Sequence, residues 1–197
     1  MGQGLKQRRS VRLRDYDYST EGMYFVTIWA QRLECLFGEV VEDKMRLNQY
    51  GKIVDECWKW LFQQYSHTKI NEFMIMPNHF HGIIEIIEPD RRGGSRTAPT
   101  FASCAPALRT APTFASCAPA PVNVTKRKPL GRLIGAFKTV STKRINLIRN
   151  TPGTPVWQRN YYEHVIRNEE ELLQTQKYIQ ENPLKWDLDL ENQYVAA

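Results

Sequence analysis

Residues 69–87, KINEFMIMPNHFHGIIEII, hold two apolar runs interrupted only at Pro77–Asn78. Pro followed by Asn favours a tight turn, and each flanking run has the length and the β-branched and aromatic content of a strand. The segment therefore predicts two strands joined at Pro77–Asn78, and the rest of the chain must be arranged around the sheet they begin. GMYFVTIWAQ (22–31) follows the turn signal DYSTEG and reads as an earlier strand. LFGEVVEDKMRLN reads as a short hairpin turning at Glu42–Lys44. QYGKIVDECWKWLFQQY places Ile53, Cys57, Trp60 and Leu61 at helical spacing, which predicts a helix over 49–65.

Downstream, PLGRLIGAFKTVSTKRINLIRN (129–150) sets Leu130, Leu133, Ile134, Phe137, Val140, Ile145 and Ile148 along one face, with Arg132, Lys138, Lys143 and Arg144 largely off it. A helix beginning at Pro129 and ending before TPGTP follows. VWQRNYYEHVI is a final strand or extended segment. NEEELLQTQKYIQENP opens with Asn168 as cap and acidic first-turn residues, which suit the helix dipole, and stops at Pro183. At 197 residues the chain can bury a sizeable core in one domain. The order of elements fits a βαββαβ sheet with helices on one face.

One stretch does not fit any element. RTAPTFASCAPAL is followed by RTAPTFASCAPAP, a tandem repeat of 13 residues. Two copies are too few for a solenoid, and Ala, Pro, Ser and Thr bury too little surface to offset ordering entropy. Residues 90–125 are therefore expected to be a disordered insertion within a single domain spanning 1–197. Cys104 and Cys117 are copies of one another, and with Cys35 and Cys57 they form no CxxC pair, so neither a disulfide framework nor a cysteine zinc site is expected. The N-terminus lacks a signal-peptide core and no run approaches the ~20 apolar residues of a membrane span. A soluble, cytoplasmic, nucleoid-associated protein without membrane contact is the expectation.

Charge is unevenly placed. Net charge is +6, but Arg91–Tyr162 contains 13 Lys and Arg and no Asp or Glu, which leaves 14 basic and 21 acidic residues, a net of −7, for everything else. A basic face of this kind suits a polyanion. Lys6, Arg8, Arg9, Arg12 and Arg14 make a basic N-terminal arm, and Lys126, Arg127, Lys128, Arg132, Lys138, Lys143 and Arg144 a second cluster. These are the candidate phosphate contacts, with the salt-dependent affinity that such contacts bring.

Alternation along a strand places His79 and His81 on the same face with Phe80 turned away. Two neutral imidazoles at that spacing can ligate one divalent metal, although such pairs also occur as satisfied histidines. On the last helix Tyr178 and Asn182 share a face. Tyr178 could attack a phosphorus atom and Asn182 could offer a carbonyl oxygen to a metal. Equally, Tyr178 and Ile179 could be core residues and Asn182 a cap before Pro183. Two imidazoles and an amide leave coordination positions open, which suits Mg²⁺ or Mn²⁺ better than a closed zinc site.

FGEVVEDKMRLNQYGKIV, FMIMPNHFHGIIEI, VWQRNYYEHVIRNEEEL and KYIQENPLKW, in that order, resemble the REP-associated tyrosine transposases, relatives of the single-tyrosine HUH transposases. The resemblance covers most of the chain outside 90–125. It implies an α+β fold, a ferredoxin-like βαββαβ antiparallel sheet with helices packed on it, plus a C-terminal helix carrying the nucleophile. Carried over by position, His79 and His81 are the HUH pair, Tyr178 the nucleophile and Asn182 the third metal ligand. The implied reaction is metal-dependent cleavage and joining of single-stranded DNA at hairpins of repetitive extragenic palindromes, through a 5′-phosphotyrosine and a free 3′-OH. Tyr161 and Tyr162 are competing nucleophile candidates, and His164 sits in the same block. The REP-associated branch implies a monomer with its site in one chain, whereas helix-swapped dimers occur in the broader group. The repeats depart from the pattern by lengthening the loop after the histidine strand. Three rivals remain: a hairpin-binding protein of the same fold without cleavage, a metal hydrolase using water, and an RNA-binding module.

Overall fold

The computed structural model describes Leu13, residues 16–88 and residues 128–188. In chain order the elements are β1 (Gly22–Trp29), a hairpin of β2 (Gly38–Val41) and β3 (Lys44–Leu47), α1 (Gln49–Gln64), β4 (Thr68–Ile75), β5 (His79–Ile86), α2 (Leu130–Ile148), β6 (Tyr162–Ile166) and α3 (Glu169–Glu181). The main sheet has the order β4-β5-β1-β6 and every neighbouring pair is antiparallel. Without the β2–β3 hairpin this is the ferredoxin-like βαββαβ arrangement expected from the sequence. The hairpin turns where predicted: Glu42 and Asp43 both hold positive φ, 50° and 59°, the left-handed pair that a two-residue turn requires.

Side-chain parity decides the layers. Tyr24, Val26 and Ile28 of β1 and Phe80, Ile84 and Ile86 of β5 join Val54, Trp58 and Leu61 of α1 and Leu133, Ile134 and Phe137 of α2 in the main core. Trp58 is the centre of it, with ring centroids 4.5 Å from Phe80 and 5.2 Å from Phe137. Gly82 lies on the same face because Trp58 needs the space: a Cβ there would come within 2.8 Å of Trp58 Cζ2 and of Phe80 Cε1. The opposite parity, Phe25 of β1 and Ile83 of β5, packs with Ile166 and with Ile179 of α3 in a smaller second core.

The helices of the βαββαβ unit, α1 and α2, therefore lie on one face as expected, and the additional C-terminal helix α3 covers the other. Both parities of β1 and β5 carry apolar side chains, so a single helical layer would leave half of them in water. The histidines lie on the α3 face.

Two details of the α2 region differ from its apolar pattern. Ile148 is 44% exposed and Leu147 76%, while Ser141 and Asn146 are buried. The returning chain packs on α2 through polar contacts, Trp157 Nε1 donating to Ser141 Oγ (2.9 Å) and Asn146 Nδ2 to Thr154 O (2.8 Å), so these positions face inward. Within 156–166, only Tyr162–Ile166 joins the sheet; Trp157 makes a single bridge to Ala30. The carbonyls between them are taken by Lys138, whose Nζ donates to Gln158 O (2.9 Å) and Asn160 O (3.0 Å).

Asn168 caps α3 as predicted, its Oδ1 accepting from Glu171 N at 2.8 Å. Past Asn182 the chain tightens into a 3₁₀ turn at Pro183–Leu188. His67 ties Ile87, just past β5, to Lys128, just before α2: Ile87 N donates to His67 O (2.9 Å) and Lys128 N to His67 Nε2 (3.0 Å). The repeat at 90–125, with Cys104 and Cys117, lies outside the described residues. No helix among the described residues is long and apolar enough to cross a membrane.

Candidate active site

His79 and His81 project from the start of β5 toward α3 and are 0% and 1% exposed. Their outer nitrogens are held by neighbours. Asn78 Oδ1 lies 2.7 Å from His79 Nδ1, and a carbonyl oxygen only accepts, so the proton of His79 sits on Nδ1 and the Nε2 lone pair points inward. Thr27, paired with His81 across the β1–β5 ladder, brings Oγ1 to 2.9 Å from His81 Nδ1. A hydroxyl accepts as readily as it donates, so Thr27 permits either tautomer of His81, including the one with Nε2 unprotonated. The two Nε2 atoms face each other at 2.9 Å.

Burial disfavours the charged forms. It pushes His79 down to about 4, partly countered by the Asn182 side chain, and it holds His81 well below the usual imidazole range, aided by the neighbouring His79. Both rings are neutral at pH 7, the state a metal requires of its imidazole ligands.

Asn182, one residue past α3, is 2% exposed. Its Nδ2 lies 3.3 Å from His81 Nε2, and its Oδ1 is buried without a well-formed hydrogen bond. An orphaned buried acceptor normally carries a cost of about 1–3 kcal/mol, so its presence beside two converging Nε2 atoms asks for a ligand. A divalent cation fits this donor set of two imidazole nitrogens and one amide oxygen. Among the described residues no group of three or more His, Cys, Asp or Glu is placed to hold a metal ion, so a cation here would draw its third protein ligand from the Asn182 amide. The Trp186 ring, 6.1 Å from His79, covers it from the 3₁₀ turn.

Tyr178 lies one turn before Asn182. Its ring stands edge-on to His81 (centroids 5.3 Å) and to Phe25 (6.1 Å), and it is 42% exposed. Ile179 enters the core, whereas Tyr178 does not, and the Asn182 side chain turns to the histidines. The competing tyrosines divide between the two faces of the sheet. Tyr161 packs on the main core with Lys138 Nζ 5.5 Å above its ring; Tyr162 stands against Phe25 at 6.3 Å. His164 Nε2 pairs with Glu171 Oε1 at 2.5 Å.

The basic candidates divide. Lys6, Arg8, Arg9, Arg12, Arg14, Lys126 and Arg127 lie outside the described residues. Two of the others are turned to structural work: Lys138 holds backbone carbonyls, its burial pushing it down to about 8, and Arg144 pairs with Glu56 of α1. The helical pattern put both off the apolar face, but their long stems let the heads reach back to neighbouring segments. Arg132 and Lys143 are exposed and Lys128 half-buried. Sequence reasoning missed Thr27, Asn78 and Trp186. Asn78 is adjacent to His79 and could have been suspected; Thr27 needs the cross-strand register, which no local pattern supplies.

No family model matches the chain. A Haemophilus influenzae protein described only as uncharacterized is 39% identical over 186 residues, 94% of this chain and 93% of that one. Among solved structures, a REP-associated tyrosine transposase bound to a REP hairpin matches with a TM-score of 0.51 at 16% identity, over 89% of this chain and 73% of that chain. The chain belongs to the family that includes the Haemophilus influenzae protein, and it is built on the fold of a REP-associated tyrosine transposase.

Proposed function

We propose that the protein is a metal-dependent single-stranded DNA endonuclease and strand transferase, acting on hairpin DNA as a transposase does. The observation that carries this reading is the convergence of the two Nε2 atoms and the Asn182 amide beside a half-exposed tyrosine. The fold shared with a transposase bound to a REP hairpin supports the choice of hairpin DNA as substrate.

Tyr178 Oη attacks the phosphorus of a phosphodiester. The bond to the 3′ oxygen breaks, the 5′ phosphate stays on the tyrosine, and the departing oxygen takes a proton to become a 3′-OH. Attack by the 3′-OH of another strand restores a phosphodiester and frees the tyrosine, so the bond energy is conserved and no nucleotide cofactor is needed. His79, His81 and Asn182 would hold Mg²⁺ or Mn²⁺. When bound, the cation polarises the phosphate and favours the phenolate of a group whose free pKa is about 10. Phe25 and His81 pack edge-on against the Tyr178 ring, and the residue is 42% exposed at the protein surface, where a strand can reach it.

The test uses single-stranded hairpins from the sequence flanking the gene, labelled on the 3′ side of candidate cleavage points, incubated with Mn²⁺ or Mg²⁺ and run on a denaturing protein gel. A labelled covalent band, absent in Tyr178→Phe and in His79→Ala, is expected. Cleavage without a band that survives Tyr178→Phe would indicate a water-using hydrolase, and binding with neither cleavage nor band a hairpin-binding protein.

A further inference from the structure

Tyr178 is also a wall of an open groove of about 340 Å³ between α3 and the edge strand β6. Such a volume falls at the low end of small-ligand sites, roughly 300–1,000 Å³. Tyr162 lines it from β6 and is 38% exposed, so two large phenol rings stand partly in water around one depression. Phe25 lies between them, edge-on to both, with interplanar angles of 67° to Tyr162 and 84° to Tyr178. The polar lining comes from His164, Glu171, Thr175 and Gln174, whose Nε2 donates to Glu170 Oε1 at 3.2 Å.

The chemistry of this lining selects its ligand. No Lys or Arg contributes to it, and Glu171 supplies a carboxylate, so a phosphate is disfavoured. The carboxylate is fixed, one oxygen against His164 Nε2 at 2.5 Å and the other accepting from Arg167 N at 2.7 Å. Thr175 donates to Glu171 O at 2.7 Å, which leaves its hydroxyl oxygen to accept. Aromatic faces beside fixed acceptors match a flat heterocycle with N–H groups on its edge. Base–aromatic stacking is the usual means by which proteins hold unpaired strands.

We infer that this groove takes one unstacked nucleobase of the single strand, adjacent to the scissile phosphate, with Tyr162 as its stacking platform. The inference rests on the reading of Tyr178 as the nucleophile, since that places the scissile phosphate at the groove's edge. Tyr162 is then a substrate-positioning residue, and its adjacency to Tyr161 in the sequence reflects two different tasks, one side chain in the core and one at the DNA.

The experiment separates the two claims. The full chain carrying Tyr178→Phe, which forms no adduct, is titrated with hairpins bearing 2-aminopurine at each unpaired position in turn. Quenching at one position is expected. Adding Tyr162→Ala should abolish that quenching and weaken binding about tenfold, while Tyr162→Phe preserves both. Tyr162→Leu, which keeps an apolar side chain against Phe25, should melt as the parent does and still lose the quenching. Absence of quenching at every position, or quenching unchanged in Tyr162→Ala and Tyr162→Leu, overturns the inference. Adduct formation by the native chain is measured separately, so the nucleophile can stand while the groove assignment falls.

Discussion

At the scale of residues, the site depends on imidazoles that are buried yet neutral. His79 titrates at about 4 in the folded chain against about 6.5 in an unfolded one, so between those values the unfolded chain binds more protons. Stability from this residue is complete above about pH 6.5 and is lost as pH falls toward 4, for a total of about 3 kcal/mol, and His81 acts in the same direction. Urea denaturation of the metal-free chain at pH 7.5 and pH 4.5 checks this; equal stability at both contradicts it. Which residues would meet was partly legible. Period two on an apolar strand puts His79 and His81 together, and period four on a helix puts Tyr178 with Asn182. That these two pairs converge depends on α3 crossing the face of β5 opposite to α1 and α2, which is a tertiary fact. The structural contacts of Lys138 were illegible for a similar reason, since the carbonyls it holds belong to a segment 20 residues away.

At the scale of elements, β5 is the strand on which both faces depend. His79 and His81 look to α3, and Phe80 and Gly82 to Trp58. Gly82→Ala introduces a methyl group at 2.8 Å from two buried rings, an overpacking that costs about 1–3 kcal/mol and lowers Tm by several degrees. Because Gly82 neighbours His81, the same substitution should also weaken the proposed metal-dependent cleavage; an unchanged Tm contradicts the packing. The elements themselves were legible to within about two residues at α1, α2 and α3, where apolar spacing, Asn168 and Pro183 mark the limits. For 156–166 the pattern left strand and extended segment open, and the division falls at Tyr162: before it the carbonyls of Gln158 and Asn160 are satisfied by Lys138 instead of a ladder.

At the scale of the molecule, an antiparallel sheet separates the face packed on α1 and α2 from the face that carries His79 and His81 under α3. The order of elements made the ferredoxin-like core legible. The second, smaller core was not, because continuous runs such as YFVTIW give no sign of which parity is covered by what. His67 anchors both Ile87 and Lys128, so the fold closes on itself whatever lies between. Loop-closure entropy changes by only about 0.6 kcal/mol per doubling of length. Deleting 93–121 should therefore leave Tm unchanged or slightly raised by circular dichroism, and a fall of many degrees would mean that the repeats support the core.

That Tyr178, rather than Tyr161 or Tyr162, receives the DNA phosphate in the proposed reaction is tested by mass spectrometry of the trypsin-digested adduct. Cleavage after Lys177 and Lys185 releases 178–185, while cleavage after Arg159 and Arg167 releases 160–167, so the candidates fall on different peptides. A phosphonucleotide mass on 178–185 alone is expected. The same mass on 160–167 would contradict it.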